Sequence, residues 1–368
     1  MRVIFVNNYP MDLIWQEWLK QESAGHHLWG TTNFYKYVID CHVLTHEKYT
    51  LLKKISQKIK VLGNLDQQLR ILLQQSQFDI VYSGHYYNTL LLGLLRHIGL
   101  FKKPIFAIAF QSFRKSIWTM ILVKFMLYGH DKLLCLSLGI KKQFQDEFNM
   151  PEEKLELVEW GVDLPFYDIK TSNNHPEIKV SYPPFILSAG KSYRDYQTLT
   201  TAFKNLDCDL KIYCTKDSAP KDKDLPENIR VFYHPQKLAF LTHEEMFAEY
   251  KRAYAVAIPL DINPHTLHNM IGLTNLLDTM VMGKAVIMTR NQQLNIDIEK
   301  EGIGLWVMPG DIAGWRKAIS YLLEYPNETQ EMGKRARLLC EQKYNLDLFS
   351  QEIARIMNQT YTKFIANK

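Results

Sequence analysis

The sequence predicts an α/β protein with two parallel sheets, each covered by helices on both faces. Short apolar runs alternate with longer helical stretches, which is the pattern of buried parallel strands. The alternation occurs twice, on either side of a polar stretch at residues 170–184. A chain of 368 residues suits two domains, because a domain typically has roughly 100–200 residues.

The first series of predicted strands covers residues 3–7, 79–83, 105–110 and 133–137. Ligands of parallel sheets bind beyond the carboxyl ends of the strands. Residues 7–10, 83–86 and 111–113 are therefore expected on one rim. In that rim His85 is the candidate for catalysis or substrate contact, and a purely structural hydrogen bond is the alternative.

A glycine-bounded loop at residues 24–30 carries His26, His27 and Trp29. Two imidazoles and an indole in one loop suggest recognition of an acceptor. No second group of metal ligands lies nearby in the sequence, so no metal site is predicted. The five cysteines include no CxxC pair, which is typical of reduced thiols in a cytoplasmic protein.

Positive charge is concentrated in the first half of the chain. Residues 1–160 contain 19 Lys and Arg against 14 Asp and Glu, whereas residues 161–368 contain 25 of each. The first half is therefore expected to meet an anionic surface or substrate.

Much of this excess lies at residues 96–132, where basic residues alternate with aromatic and aliphatic ones. Such a helix can lie in the interface of an anionic membrane. The candidate membrane contacts are Arg114, Lys115, Trp118, Lys124 and Phe125. A core-packed helix with solvated lysines is the alternative. A nucleic-acid partner is not expected, because no nucleic-acid-binding module accompanies the basic stretch.

The apolar runs are too short for export or for membrane crossing. Residues 1–8 do not reach the length of a signal peptide, and residues 117–128 fall short of the ~20 residues of a spanning helix. We expect a cytoplasmic protein, either free or peripheral at the inner face of the membrane.

The predicted domains are residues 1–160 and residues 161–345. Residues 346–368 are predicted to form a helix that crosses back to the first domain. The second series of strands is expected at residues 185–190, 210–214, 230–233, 255–259, 285–289 and 305–308.

Residues 271–287 predict a glycine turn, a helix and then a buried strand. A helix N-terminus offers unpaired backbone N–H groups and the positive end of the helix dipole, which suit a phosphate. Asp278 follows about one turn later, where it can accept hydrogen bonds from sugar hydroxyls. The alternative is an ordinary turn of an α/β domain.

Four segments in order then resemble motifs of the GT-B glycosyltransferases, specifically the GT4-like family. They are Trp160-Gly161-Val162-Asp163 with Phe166 (family NGVD…F), residues 188–199 (the RDYxTL variant), residues 272–287 (GxTxLLEAMxxGKxVI) and residues 301–311 (NGLLVPPGD). The resemblance implies two Rossmann-like domains that face a central cleft. It also implies that the second domain, residues 161–345, binds a nucleotide-sugar donor and that the first domain, residues 1–160, binds the acceptor.

The resemblance assigns roles to individual residues. Lys191 and Arg194 match the family's pair of cations that grips the donor diphosphate, and both are therefore candidates for catalysis as well as for binding. Asp278 matches the glutamate that binds the nucleotide ribose, with a shorter side chain. The residues that match the phosphate turn are Gly272, Leu273, Thr274 and Asn275.

One family residue is missing. The carboxylate expected eight positions before Asp278 is replaced by Met270. His268 and Asn269 become the candidates for contact with the donor sugar, and packing within a loop is the alternative. The choice between inversion and retention of the sugar configuration is left open.

The resemblance implies a metal-independent glycosyltransferase that needs no cofactor. It would move a sugar from a nucleotide-diphosphate donor to a glycan, a lipid or a lipid-linked acceptor. Two alternatives are an inactive relative that binds a nucleotide sugar or a partner protein, and a sugar-nucleotide epimerase or hydrolase.

Overall fold

A computed structural model describes residues 1–111, 117–172, 181–222, 224–234, 242–264, 266 and 269–367. The chain divides into two compact units. The first unit is Met1–Asp163 together with Leu346–Lys368, and the second is Leu164–Asn345.

Strands and helices alternate along both units. The strands are β1 (Arg2–Val6), β2 (Asp40–Val43), β3 (Ile80–Ser83), β4 (Ile105–Ala109), β5 (Lys132–Cys135), β6 (Leu155–Leu157), β7 (Phe185–Gly190), β8 (Asp209–Thr215), β9 (Ile229–His234), β10 (Ala255–Ile258), β11 (Val286–Thr289) and β12 (Gly304–Val307). The α-helices are α1 (Met11–Leu19), α2 (Thr50–Lys58), α3 (Leu65–Leu73), α4 (Leu90–His97), α5 (Ile117–Tyr128), α6 (Leu138–Phe148), α7 (Leu164–Ser172), α8 (Tyr196–Phe203), α9 (His243–Arg252), α10 (Leu273–Val281), α11 (Ile312–Glu324), α12 (Pro326–Gln342) and α13 (Leu346–Ala366).

The first unit is built on a six-stranded parallel sheet with the order β2-β1-β3-β4-β5-β6. Every residue of β3 and β4 is buried, as expected for strands covered on both faces. The chain passes from β1 to β2 on one side and returns to β3 on the other. The carboxyl ends of β1 and β3 therefore form a topological switch point, where ligands of such sheets bind.

The second unit has its own six-stranded parallel sheet, with the order β12-β11-β10-β7-β8-β9. Its core packs the sheet against α8 and α11, with Trp315 and Phe203 fully buried. The chain runs from β7 to β8 and β9, and then returns to β10 on the other side of β7. The switch point of this unit lies between β7 and β10.

The C-terminal helix α13 belongs to the first unit. At its start the Leu346 N–H donates to the Val162 carbonyl (2.8 Å), and Asn33 Nδ2 donates to Asp347 Oδ1 (2.7 Å). Phe349 and Ile353 are buried on its inner face. Burial of these apolar side chains stabilises the association of α13 with the rest of the unit.

Helices α4 and α5 approach each other through two glycines. A Cβ atom at Gly129 would lie 1.7 Å from the Gly93 carbonyl oxygen, and one at Gly93 would lie 2.1 Å from the Met126 carbonyl oxygen. Both distances are far below van der Waals contact. Larger residues at either position would force the two helices apart.

In the part of the chain that the structure describes, no helix is long and apolar enough to cross a membrane.

Candidate functional site

The loop at residues 191–195 follows β7 at the switch point of the second unit. The Asp195 N–H donates to the Pro259 carbonyl (3.2 Å), and the Asp261 N–H donates to the Tyr193 carbonyl (3.0 Å). These bonds pair the loop with the chain that leaves β10. The backbone of Arg194 is thereby fixed at the carboxyl edge of the sheet.

Two residues of the predicted phosphate loop have structural roles. The Asp195 carboxylate accepts the Thr198 N–H (3.0 Å) and caps the N-terminus of α8. The buried Tyr196 donates its hydroxyl to the Gly190 carbonyl (3.1 Å). These contacts hold the loop, and they leave the side chains of Lys191 and Arg194 as its two cations.

The Arg194 guanidinium is half-buried and is held in one orientation. Its Nη1 donates to the Ser192 carbonyl (2.7 Å), its Nη2 donates to Asn275 Oδ1, and its buried Nε has no hydrogen-bond partner. A Cβ atom at Gly190 would lie only 2.3 Å from that Nε, so a larger residue there would displace the guanidinium from this position. Burial lowers the pKa of Arg194, but an arginine stays charged in proteins.

Among the described residues, no carboxylate lies within ion-pair distance of Arg194. Lys191, on the same loop, is exposed, and no described residue pairs with its ammonium group. A half-buried cation without a counter-ion is unfavourable in isolation. The loop therefore suits an anionic ligand.

Helix α10 presents its N-terminus to Arg194 through Asn275. Gly272 precedes the helix with a φ of +87°, and within the described chain no side chain caps the first turn. Asn275 accepts from Arg194 and donates its Nδ2 to the Ala189 carbonyl (3.0 Å). The helix N-terminus thus adds backbone donors and dipole charge beside the guanidinium, and the first-turn residues Leu273 and Thr274 carry N–H groups suited to an anion.

Asp278 lies one turn further along α10 and is half-buried. Its Oδ1 accepts a hydrogen bond from the Tyr167 hydroxyl (2.5 Å), and Tyr167 lies on α7. Burial raises the pKa of Asp278 to about 6, and the bond from Tyr167 opposes that rise. The sequence did not reveal Tyr167, because it is far from Asp278 along the chain and belongs to no phosphate motif.

The chain before α10 is held by a residue that the sequence analysis also missed. Asn291 donates its Nδ2 to the carbonyls of Asn269 and Ile271 (3.1 Å each). Met270, at the position of the absent family carboxylate, is buried. His268 lies outside the described residues, so its predicted contact with a sugar stays a prediction, as does that of Asn269.

In the first unit, His85 lies at the switch point, directly after β3. Its Nδ1 accepts the Tyr87 N–H (3.1 Å), and its Nε2 lies 2.9 Å from the side-chain amide of Gln111. Because Nδ1 accepts, the proton of the neutral ring lies on Nε2, and the contact with Gln111 Nε2 becomes a hydrogen bond only when the Gln111 amide is turned so that its oxygen faces the ring. Burial lowers the pKa of His85 to about 3. These contacts fit the structural alternative, and no observation tests a catalytic role.

Trp29 lies in a row of aromatic rings along the same rim. Its ring is stacked with those of Trp160 (centroids 5.1 Å apart) and Phe110 (5.9 Å apart). Two aromatic neighbours therefore hold the Trp29 ring in place. Phe110 in turn contacts His85 edge to face (4.8 Å).

The loop that carries His26 is tied to residues 160–163. The Gly25 N–H donates to Asp163 Oδ2 (2.7 Å), and His26 Nδ1 accepts the Asp163 N–H (3.3 Å). His26 is only 2% exposed, whereas His27 is half-buried. Of the two histidines predicted to contact an acceptor, His27 is the more accessible one, and His26 holds the loop.

Buried histidines also make the first unit sensitive to acid. His130 is buried with its Nε2 2.9 Å from Thr89 Oγ1, and burial lowers its pKa to about 4. In the unfolded chain His130 takes up a proton near pH 6.5, whereas in the folded chain it stays neutral down to about pH 4. The free energy of unfolding is therefore highest above pH 6.5 and falls as the pH decreases below it. We expect the stability lost between pH 6.5 and pH 5 in chemical denaturation to be smaller in His130→Gln than in the natural chain by about 1.6 kcal/mol.

The control for this prediction is His42→Gln, which changes an exposed histidine of the same unit. It is expected to keep the pH dependence of the natural chain. An equal loss of stability in His130→Gln and the natural chain would contradict the account.

The predicted membrane contacts lie on or before α5. Arg114 and Lys115 lie outside the described residues. Trp118 belongs to α5, but its side chain is not among the parts that the structure describes. Lys124 is half-buried with its Nζ 5.8 Å from the Tyr128 ring, and Phe125 is 51% exposed. Other exposed apolar residues on α5 and on the segment that follows α4 are Ile98, Leu100, Ile121 and Leu122.

Among the described residues, no three His, Cys, Asp or Glu side chains are grouped so that they could hold a metal ion.

Solved structures similar to this chain match it over its full length. A glycosyltransferase from Rickettsia africae is 14% identical with a TM-score of 0.64, and the match covers 100% of this chain and 99% of that one. Anabaena Alr3699/HepE in complex with UDP-glucose is 12% identical with a TM-score of 0.65, covering 98% and 100%. The fold is that of GT-B glycosyltransferases.

The predicted α/β fold class with two parallel sheets is thereby confirmed. The same fold occurs in a protein described as a UDP-N-acetylglucosamine 2-epimerase, from Listeria monocytogenes, which is 10% identical with a TM-score of 0.57 and coverage of 98% and 97%. No family model and no curated protein matches the sequence. At these identities the likeness establishes the GT-B fold alone, and membership of the GT4-like family stays a prediction.

Proposed function

We propose that this chain is a glycosyltransferase that moves a sugar from a nucleotide-diphosphate donor to a glycan or lipid-type acceptor. The observation that carries the proposal is the Arg194 guanidinium, which lies beside the N-terminus of α10 and has no carboxylate partner among the described residues. A diphosphate supplies the negative charge that both elements lack. The donor would bind to the second unit, and the acceptor to the first.

The same groups can promote the transfer step. When the bond between the sugar and the diphosphate breaks, negative charge grows on the leaving diphosphate. Arg194 and the N–H groups of Leu273, Thr274 and Asn275 are already oriented, so they stabilise that charge with little reorganisation. Lys191 adds a second, exposed cation. These groups neutralise the leaving group in a reaction that uses no metal ion.

Asp278 would accept hydrogen bonds from the ribose hydroxyls, while Asn269 and His268 are proposed to contact the sugar. In the first unit, His27 and Trp29 are proposed to contact the acceptor. His85 and His26 would position this rim, because their ring nitrogens are engaged in hydrogen bonds with the protein.

Incubation of the purified chain with UDP-, ADP-, GDP- and TDP-sugars tests the proposal. We expect slow release of the nucleoside diphosphate from one of these donors, with faster release when an acceptor is added. UDP-glucose is the first donor to try, because it is the ligand named for the Anabaena structure. Absence of both binding and turnover across the panel would contradict the proposal.

An epimerase or hydrolase is the second candidate, and the fold shared with the Listeria protein supports it. An epimerase would convert one nucleotide sugar into another without an acceptor, and a hydrolase would release free sugar. A non-catalytic binding protein would bind a donor without changing it. The apolar residue Met270, which stands where the family has a carboxylate, supports this alternative. Chromatography of the donor panel after incubation separates these three outcomes.

We further propose that the exposed apolar face of α5 meets an anionic membrane surface. Phe125 and Ile121 are exposed on this helix, and the exposed His97 and Lys102 lie on the neighbouring segment. The His97 ring lies 6.0 Å from that of Phe125, so the end of α4 and the exposed side of α5 contribute to one surface. Apolar area and basic charge together are typical of proteins that bind anionic lipid reversibly.

Liposome flotation measures this association. We expect the chain to float with phosphatidylglycerol vesicles at low salt. Phe125→Ser should lower the bound fraction about threefold or more, because it removes apolar area that would be buried in the membrane. Leu138→Ser is the control, since Leu138 is similarly exposed on α6 of the same unit. Equal flotation of the two variants, or no flotation of the natural chain, would contradict the membrane proposal.

A further inference from the structure

We propose that Tyr167 is a positioning residue for donor binding: it orients the carboxylate of Asp278, and that carboxylate contacts the donor nucleotide. This inference rests on the proposed function, because it assumes that Asp278 meets the ribose. It adds a residue from α7 to a site otherwise built from the loops after β7 and β10 and from α10.

The contact is specific. The Tyr167 hydroxyl donates to Asp278 Oδ1 at 2.5 Å. A hydroxyl that donates to one oxygen fixes the plane of the carboxylate and leaves the second oxygen to accept from a ligand. No described residue donates to Asp278 Oδ2, and that atom is not among the buried unpaired ones.

Tyr167 is itself held firmly, as a positioning residue must be. It is buried, and its ring packs on Phe247 of α9 at 4.8 Å and contacts Phe166 edge to face at 5.9 Å. Asp278 is shorter than the glutamate found in the GT4-like motif, so its carboxylate lies closer to the α10 backbone. The hydroxyl of Tyr167 reaches it there from the neighbouring helix.

Among the titratable side chains that lie near one another around Asp278, Asp278 is the one that changes its protonation near neutral pH. The titratable side chains that face it are Tyr167 on α7, Tyr250 on α9 and Cys340 on α12. Burial raises the pKa of each of these three, so they are uncharged at pH 7. The nearby charged groups are Arg194, which faces Tyr250, and Arg337, which faces Cys340.

This arrangement gives donor binding a characteristic pH dependence. Ribose hydroxyls donate most strongly to an ionised carboxylate, so affinity should fall as pH decreases through the pKa of Asp278, about 6. The bond from Tyr167 favours the ionised form, so its loss raises this pKa further. The change in ionisation alone then lowers affinity at about pH 6.5 and very little at about pH 8.

The test is isothermal titration of UDP-glucose from pH 5.5 to pH 8 with the natural chain, Tyr167→Phe and Asp278→Asn. UDP-glucose is preferred to UDP because its esterified diphosphate does not titrate in this range. We expect Tyr167→Phe to shift the acid limb of binding upward by about one pH unit. Asp278→Asn should bind more weakly and show no acid limb.

Tyr254→Phe is the matched control, because it removes a hydroxyl that donates to the Leu322 carbonyl (2.5 Å) in the same unit. Tyr254 directly precedes β10 and so lies at the amino end of that strand, whereas the candidate site lies at the carboxyl ends. This variant should bind like the natural chain at every pH. The inference is overturned if the natural chain binds but Tyr167→Phe keeps its affinity and pH profile, or loses affinity equally at all pH values. If the natural chain binds none of the nucleotide sugars, the proposed function itself fails.

Discussion

Replacement of Arg194 by alanine is expected to lower donor turnover by roughly 10²- to 10³-fold, the loss typical when one oriented donor to a developing anion is removed. The side chain supplies the cation at the N-terminus of α10, and nothing else among the described residues contacts both Asn275 and the Ser192 carbonyl. UDP-glucose titration and release of nucleoside diphosphate measure the effect.

The fold should survive this change. The loop at residues 191–195 is held by backbone bonds to Pro259 and Asp261, and Asp195 still caps α8. Circular dichroism and thermal unfolding of Arg194→Ala should therefore resemble those of the natural chain.

Arg230→Ala is the control, because Arg230 lies on β9 of the same unit with its side chain 61% exposed, and its ion pair with Asp209 is long (3.8 Å). It should retain full turnover. If Arg194→Ala also retained near-normal turnover, the assignment of the diphosphate site would be wrong.

Replacement of Gly129 by alanine is expected to destabilise the first unit by about 3 kcal/mol, the upper range for overpacking a tight contact. A methyl group at this position would lie 1.7 Å from the Gly93 carbonyl, and that carbonyl belongs to helix backbone rather than to a flexible side chain. The helices α4 and α5 must separate to admit it. Urea denaturation of the full chain measures the loss.

Gly99→Ala separates this clash from a general effect of losing a glycine. Gly99 has a φ of +79°, and a Cβ atom there would meet nothing within 4 Å. Its replacement should cost about 1 kcal/mol through backbone strain alone. A loss in Gly129→Ala no larger than that in Gly99→Ala would show that the close approach of the two helices is misassigned.

The strands of the second unit could be predicted from the sequence because each is a short buried run bounded by turn residues. Those of the first unit were predicted less completely. β2 was missed because its residues are alternately exposed and half-buried, and β6 was missed because it has only three residues. Apolar runs signal buried central strands, and both missed strands lie at the edges of the sheet.

The local parts of the candidate site could also be predicted. Arg194 and Asn275 each lie in a short motif that follows a strand or begins a helix, and such motifs carry their geometry in sequence. The bond between Arg194 and Asn275 joins the two motifs and follows from the order of β7 and β10 in the sheet.

The distant contacts could not be predicted. Tyr167 and Asn291 reach the site from other elements, and no pattern of periodicity or spacing links either residue to it. The stacking of Trp29 with Trp160 and with Phe110 likewise joins three separate segments of the chain. Sequence patterns describe neighbours along the chain, whereas these contacts depend on tertiary packing.

The central claim is that the N-terminus of α10 binds the diphosphate of a nucleotide sugar together with Arg194. Hydrogen–deuterium exchange with and without UDP-glucose measures this directly, since first-turn amides of a helix lack intrahelical partners and exchange readily. We expect the ligand to slow exchange at Leu273, Thr274 and Asn275, and the protection to be lost in Arg194→Ala. If saturation with UDP-glucose protected amides elsewhere in the natural chain but left the exchange rates of these three unchanged, the account would be contradicted.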